Sequence, residues 1–378
     1  MKIPYGKQWI SDDDIERVSK VLKSDYLTTG PTISEFEDEF AKFVGSKHAI
    51  AVSNGTAALH LAAQSLDVSS GTEVITTPMS FAATANCIFY NSGKPVFADI
   101  TERGLIDTQE IRKNVTSKTC GIIPVHYMGL PSDLEEISKI AKEHDLFVIE
   151  DASHAVGAKY NGSMIGNCKY SDIATFSFHP VKHITTGEGG IITTNSDELD
   201  HLLRILRTHG ITKDAQDFKT PNRAPWYQEM QYLGFNYRMT DMQAALGMSQ
   251  LSRVKEFIKR RREIAKQYTD FFNGIDSIET IPEHENEVHS YHLYVIKVKD
   301  AKTRLELFEY LAERGIYCQV HYIPIYWHPF YRESGFENEK LPKTEQFYDR
   351  ILSIPMYPAL SDSEMQFVQS SISDFFKH

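Results

Sequence analysis

The chain has 378 residues, 41% hydrophobic and 24% charged, with 21 Gly and 15 Pro spread along it, a make-up that excludes a disordered or collagen-like chain and leaves room for two or three domains. Lys and Arg number 40 against 51 Asp and Glu, a net charge of −11, which argues against nucleic acid or a membrane surface as partner but not against a local basic pocket. Cys87, Cys120, Cys168 and Cys318 lie far apart with no CxxC pair, so neither a zinc site nor a disulfide framework is expected, and no metal is assigned.

The N-terminal MKIPYGKQWISDDDIERV is polar where a secretory signal needs an apolar core. No later run approaches the ~18 consecutive apolar residues of a membrane span, so a cytoplasmic protein is expected. From Thr32, TISEFEDEFAKFV sets Ile33, Phe36, Phe40, Phe43 and Val44 at helical spacing, with Thr32 and Glu35 in the form of a capping box. Short β-rich runs follow at Glu73–Thr77, Pro95–Asp99, Gly121–Val125, Leu146–Asp151, Asp172–Phe178 and Gly190–Thr194. Segments such as Asp133–His144 carry helical periodicity between them, which predicts an α/β layer fold with a largely parallel sheet. The runs are continuously apolar, as when helices cover both faces. From Thr240 to about Phe272 the pattern predicts one long helix, with the basic run Lys259–Arg262 on a solvated face. A strand within Ser290–Val298, a helix around Lys302–Arg314 and a strand at Ile316–Tyr322 predict a βαβ-like C-terminal unit. The division falls near residue 250, into a large domain (1–250) and a small C-terminal domain (251–378).

Three places carry candidate chemistry. In Ser53-Asn54-Gly55-Thr56-Ala57 a strand runs into a small-residue turn and then a helix, where free backbone N–H groups and the helix dipole favour a phosphate. The same residues also make an ordinary helix cap. In Val148-Ile149-Glu150-Asp151-Ala152-Ser153-His154 an apolar strand ends in an acid, placing Asp151 at the carboxyl edge of the sheet, the usual ligand side. Asp151 also suits a cap for the next helix. In Phe178-His179-Pro180-Val181-Lys182-His183-Ile184 a lysine stands among apolar residues just past a strand. Desolvation there lowers an amine's pKa and makes it a nucleophile, whereas on an open loop it is merely solvated. Together, a phosphate-binding helix start, an acid ending a strand and a loop lysine about 30 residues later match the three anchors of pyridoxal phosphate: phosphate, ring nitrogen and aldehyde.

In order along nearly the whole chain, LTTGPTISEFEDEFAKFVGSKHAIAVSNGTAALHLA, ITTPMSFAATAN, PVFADI, VIEDASHAVGA, FSFHPVKHITTGEGGIITTN, LRTHGI, GFNYRMTDMQAALGMSQL and GIYCQVHYIPIY resemble the DegT/StrS family of pyridoxal phosphate-dependent sugar aminotransferases. The resemblance implies a fold-type I enzyme: a three-layer α/β/α cofactor-binding domain with a mostly parallel sheet, and a smaller C-terminal α/β domain. It implies that Lys182 binds the cofactor and shuttles the proton, that Asp151 pairs with the ring nitrogen, that His154 lies near the ring and that Phe81 stacks on it. Gly55, Thr56, Ala57 and Ser177 would hold the phosphate. Asn236 would reach it from a neighbouring subunit, making a homodimer with shared active sites. Thr29, His183, Arg238, His321, Tyr322 and Tyr326 are implied on the substrate side; His183 departs from the proline that often follows the lysine. A lysine at 182, rather than histidine, points to transamination and not dehydration. The segments ITTPMSFAATAN, SFHPVKHITTGEGG and QVHYIPIY look most like the family's pseudaminic acid branch. That implies amino transfer from L-glutamate to C4 of UDP-2-acetamido-2,6-dideoxy-β-L-arabino-hexos-4-ulose. Two alternatives stand beside it: a C3 or C4 aminotransferase for another UDP- or dTDP-keto sugar, and a non-catalytic regulator that binds a sugar nucleotide or the cofactor.

Overall fold

The computed structural model describes residues 2–221 and 224–377. Helices α1 (Asp12–Leu22) and α2 (Pro31–Val44) precede a seven-stranded sheet. Its strands are β1 (His48–Val52), β2 (Glu73–Thr76), β3 (Lys94–Phe97), β4 (Thr119–Ile123), β5 (Phe147–Asp151), β6 (Ile173–Ser177) and β7 (Gly190–Thr194), ordered β1-β7-β6-β5-β4-β2-β3 across the sheet. From β3 to β6 the neighbours are parallel; α3 (Gly55–Ser65) leads from β1 to β2, and α4 (Ala83–Tyr90), α5 (Thr108–Asn114) and α6 (Leu134–His144) are the crossovers from β2 to β3, β3 to β4 and β4 to β5, whereas β5 reaches β6 without a helix. β6 and β7 are joined without a helix and pair antiparallel, as do β7 and β1.

Both faces of the sheet are covered, which is why the strands read as unbroken apolar runs. On β1, Ala49 and Ala51 join a core with Phe36 and Phe40 of α2, whereas Ile50 and Val52 join Ala58, Leu59 and Leu61 of α3 on the other face. Phe176 and Phe178 meet Phe40 edge-to-face, with ring centroids 5.1 and 5.6 Å away; such pairs add ~1 kcal/mol each to the burial of the rings. The contact fixes the end of β6, from which the Lys182 loop departs.

Helix α7 (Asp197–Leu206) is followed by α8 (Asp241–Ser252) and α9 (Val254–Phe272). The expected single helix over 240–272 is thus broken at Arg253, whose guanidinium turns to the buried Asp14 carboxylate at 2.5 Å. The capping box expected at Thr32 and Glu35 does not form either. Helix α2 starts at Pro31, and the carboxylate of Asp241 accepts from the N–H groups of Gly30 (2.9 Å) and Thr32 (3.1 Å). On α9, Arg261 is fully buried, contrary to the solvated face expected of the basic run. It donates to the carbonyls of Tyr291, His292 and Met356, and burial lowers its pKa to about 9.

A further core gathers Ile264, Tyr268 and Phe272 of α9 with Ile3, Leu307, Leu311 and Ile372. Here β8 (Tyr294–Lys297) and β9 (Ile351–Ile354) pair antiparallel, and α10 (Ala301–Glu313) follows β8. The strand expected at Ile316–Tyr322 is only a pair of isolated bridges, Ile3 to Ile316 and Gln319 to Ser353. β8 lies between Glu279–Thr280 and β9, both antiparallel to it, so the unit is not βαβ.

Candidate active site

The carboxyl ends of β5 and β6, the N-terminus of α3 and the segment Gln319–Tyr322 enclose a cavity of about 850 Å³. The three sequence candidates converge on it: Gly55, Thr56 and Ala57; Asp151 and His154; Ser177 and Lys182 all line its wall, as do Phe81, His321 and Tyr322.

At the start of α3, Asn54 is the N-cap and its side chain accepts from Ala57 N–H at 2.8 Å. Both readings of this turn therefore hold, but the Ala57 N–H expected to serve a phosphate is already taken. Among the described residues the N–H groups of Gly55 and Thr56 meet no acceptor, and the helix dipole adds to their pull on an anion. Close approach demands the glycines here. A Cβ on Gly55 would lie 2.8 Å from the Ser177 Cβ, and one on Gly190 would lie 2.6 Å from the Asn54 carbonyl.

Lys182 sits in the turn between β6 and β7. The Phe178 N–H donates to the Gly189 carbonyl at 2.8 Å and the Phe178 carbonyl accepts from Thr186 N–H at 3.0 Å, which ties the turn at its base. The amine is enclosed by the cavity walls yet open to the cavity itself. Burial lowers its pKa to about 8 against the opposing pull of Asp151, so the free amine is a minor species at neutral pH but far more abundant than for a solvated lysine. Alternation along β5 turns Glu150 away from this site, where it accepts from His126 at 2.9 Å and from Ser171. Asp151 faces the site and accepts from Thr84 Oγ1 at 2.6 Å and Ser153 N–H at 3.1 Å.

His154 is buried, with Nε2 3.0 Å from the Tyr322 hydroxyl and its ring 4.4 Å from that of His292. Among the described residues its Nδ1 has no partner, and neither have the Nδ1 atoms of His183 and His292. Burial, with Lys182 beside them, holds His154 and His292 well below the usual imidazole range and lowers His321 to about 3. These rings are neutral acceptors or single donors around the lysine.

Five expected residues lie off the cavity. His183 is buried behind the lysine turn, donating to the Ser290 carbonyl at 3.0 Å. Tyr326 is packed in an aromatic core and its hydroxyl donates to Glu345 at 2.9 Å, so its expected contact with substrate is not available. Thr29 is exposed before α2. Asn236 is exposed and bridges to Thr208, and Arg238 bridges to Val52, its buried Nε without a partner among the described residues; neither lines the cavity of its own chain. Conversely, Tyr5, Ser80, Thr84, Tyr90, Tyr237, His292 and Gln319 line the cavity without having been singled out. Ser80 and Thr84 lie within ITTPMSFAATAN, where their i, i+4 spacing was the one available signal.

A donor pair at a helix start, an acid at a strand end and a poised amine meet in one cavity, and the unpartnered His154 Nδ1 stands beside them. Those residues fit the phosphate, ring nitrogen and aldehyde of pyridoxal phosphate. The model of the DegT/DnrJ/EryC1/StrS aminotransferase family matches residues 8–373. The chain belongs to that family. It is a pyridoxal phosphate-dependent sugar aminotransferase of fold type I. The spore coat polysaccharide biosynthesis protein SpsC of Bacillus subtilis is 40% identical over 381 residues, covering 99% of this chain and 97% of that one. Among solved structures, PseC of Helicobacter pylori, an aminotransferase involved in the biosynthesis of pseudaminic acid, is 31% identical with a TM-score of 0.92 over 100% of both chains. Spr1654 of Streptococcus pneumoniae in its PMP form is 29% identical with a TM-score of 0.94, covering 100% of this chain and 99% of that one, and it also has a PLP form. No helix among the described residues of this aminotransferase is long and apolar enough to cross a membrane.

Proposed function

We propose that this aminotransferase moves the amino group of L-glutamate to C4 of UDP-2-acetamido-2,6-dideoxy-β-L-arabino-hexos-4-ulose, giving the UDP-linked 4-amino sugar that leads to pseudaminic acid. The carrying observation for the chemistry is the Lys182 amine, lowered to about 8, in one cavity with Asp151. When bound, pyridoxal phosphate supplies an aldehyde that takes up an amine and a ring that draws electrons from the neighbouring carbon. The chain supplies the rest. Gly55 and Thr56 N–H with Ser177 hold the phosphate, Phe81 offers its exposed ring as a stacking face, and Asp151 meets the ring nitrogen. Lys182 Nζ is the base that removes the Cα proton of glutamate in the first half-reaction and the acid that delivers a proton to C4 of the sugar in the second.

The substrate assignment draws on the likeness to PseC across the whole chain, together with the ITTPMSFAATAN, SFHPVKHITTGEGG and QVHYIPIY segments. His321 and Tyr322, on the C-terminal wall, are the side chains that would meet the sugar. The active form is read as a cytoplasmic homodimer. Trp226, Met230, Tyr232 and Leu233 are exposed on the stretch that leads to Asn236 and Arg238, an apolar surface suited to a second copy. The higher identity to SpsC favours a second reading, a keto sugar destined for another surface polysaccharide. The test is a two-stage reaction. Holoenzyme is converted with glutamate, freed of it, and given UDP- and dTDP-linked 4-keto-6-deoxy sugars singly, with recovery of the lysine-bound absorption band and product NMR as readouts. Recovery with the L-arabino UDP sugar and an amine at C4 supports the reading; recovery only with another sugar replaces the substrate; a protein that never acquires the band overturns the site.

A further inference from the structure

The first turn of α4 and the loop just before it carry a short relay behind the acid of the site. Ser80 and Thr84 hydroxyls are 2.8 Å apart, and Thr84 Oγ1 is 2.6 Å from Asp151 Oδ2. All three residues are buried, at 4%, 1% and 4% exposure. The direction of the relay follows from proton counting. An ionised carboxylate only accepts, so the single Thr84 proton goes to Asp151, and the Ser80 hydroxyl is left to donate to Thr84. Asp151 Oδ1 is held separately by the Ser153 N–H at 3.1 Å. One carboxylate oxygen is therefore anchored from its own chain turn and the other from a helix 67 residues earlier. Thr84 is a good anchor because its β-branched side chain is stiff at χ1 and its neighbour Ser80 fixes the hydroxyl rotor.

We propose that Thr84, oriented by Ser80, is a positioning residue that aims the Asp151 carboxylate at the ring nitrogen of the cofactor. This rests on the assignment of Asp151 above. Charge-assisted hydrogen bonds of this length are among the stronger ones in proteins, so losing the anchor weakens whatever Asp151 holds. It has no such effect on a ligand that offers Asp151 nothing to hold.

The experiment measures the affinity of apoprotein for pyridoxal phosphate and for 1-deazapyridoxal phosphate, in which a C–H replaces the ring nitrogen, by fluorescence titration. Thr84→Val keeps the shape and removes the hydroxyl. It is expected to weaken pyridoxal phosphate by about tenfold or more while changing the deaza compound by less than about threefold. Thr84→Ser restores affinity, and Ser80→Ala gives a smaller loss of the same selective kind. Equal losses for both ligands, or none for either, overturn the proposal. Should Thr84→Val not fold, Ser80→Ala decides: no selective loss there overturns it as well. Asp151→Asn separates the two levels. If that variant loses pyridoxal phosphate selectively and Thr84→Val does not, only the relay fails; if Asp151→Asn binds both ligands as wild type does, the assignment of Asp151 fails first.

Discussion

Lys182 carries two opposed demands. The cavity wall removes water from its amine and lowers its pKa to about 8, while Asp151 pulls the other way, and desolvation wins. Because only the free amine attacks an aldehyde, uptake of pyridoxal phosphate by apoprotein should quicken as pH rises through about 8. Stopped-flow absorbance would show this, and a rate that is flat across that range would count against it. The same desolvation costs stability. Below about pH 8 the amine is charged in both folded and unfolded states, and the folded state bears the cost. Between about 8 and 10.5 the unfolded chain binds more protons, so the cost is relieved as pH rises. Lys182→Met should therefore stabilise apoprotein by ~1–3 kcal/mol at pH 7 in urea unfolding, a gain that shrinks above pH 8, while abolishing amino transfer. The lysine could be singled out from Phe178, Val181 and Ile184 around it. The size of its desolvation could not, because the covering residues His292 and Gln319–Tyr322 come from beyond residue 290.

Helix ends and breaks show where local pattern and packing disagree. Thr32 and Glu35 have the spacing of a capping box, but the two N–H groups at the start of α2 are served by Asp241 from α8. Asp241→Ala should cost ~1–2 kcal/mol in urea unfolding, and Thr32→Ala much less. A larger loss from Thr32→Ala would reverse the assignment. The break at Arg253 is marked by no proline or glycine, and the guanidinium there pairs with Asp14 on α1, 239 residues distant. Arg261 is the clearest miss. In sequence it is one of four basic residues in a row, and helical rotation alone separates it from its solvated neighbours. In the fold it donates to three carbonyls, two of them in the Tyr291–His292 segment that brings His292 against His154. Arg261→Met leaves those carbonyls without their donor, and a loss of ~2–4 kcal/mol is expected from thermal or urea unfolding.

The molecule as a whole gathers neutral imidazoles in its interior beside the lysine turn. His154, His183, His289 and His292 are buried and held well below the usual range by desolvation, and His321 is lowered to about 3. In the unfolded chain each takes up a proton as pH falls through about 6.5. Between that value and the lower folded pKa the unfolded state holds more protons, so stability rises with pH across this window and is lost as pH falls. Urea midpoints of apoprotein should drop steeply from pH 7 to pH 5. His183→Asn should flatten the slope, and a midpoint unchanged over that range would contradict the coupling. The cavity is equally a property of the whole. Its wall joins residues from Tyr5 to Tyr322, and the N-terminal segment itself enters the distant core, with Ile3 bridging to Ile316.

The sequence by itself determined the α/β alternation, the positions of β2 to β7 to within two residues at either end, and the three candidate places, at the start of α3, at Asp151 and at Lys182, that the fold brings to one cavity. Each of these is written within a few residues: an apolar run, a turn of small residues, an acid or lysine just past a strand. Only the tertiary structure decided that Thr84 binds Asp151, that Tyr322 meets His154 across 168 residues, that Tyr326 and His183 turn away from the cavity, and that β8 pairs with β9 and not with Ile316–Tyr322. Those choices are made by which elements the topology brings together, and a side chain's partner across a hundred residues leaves no periodic trace in the chain that carries it.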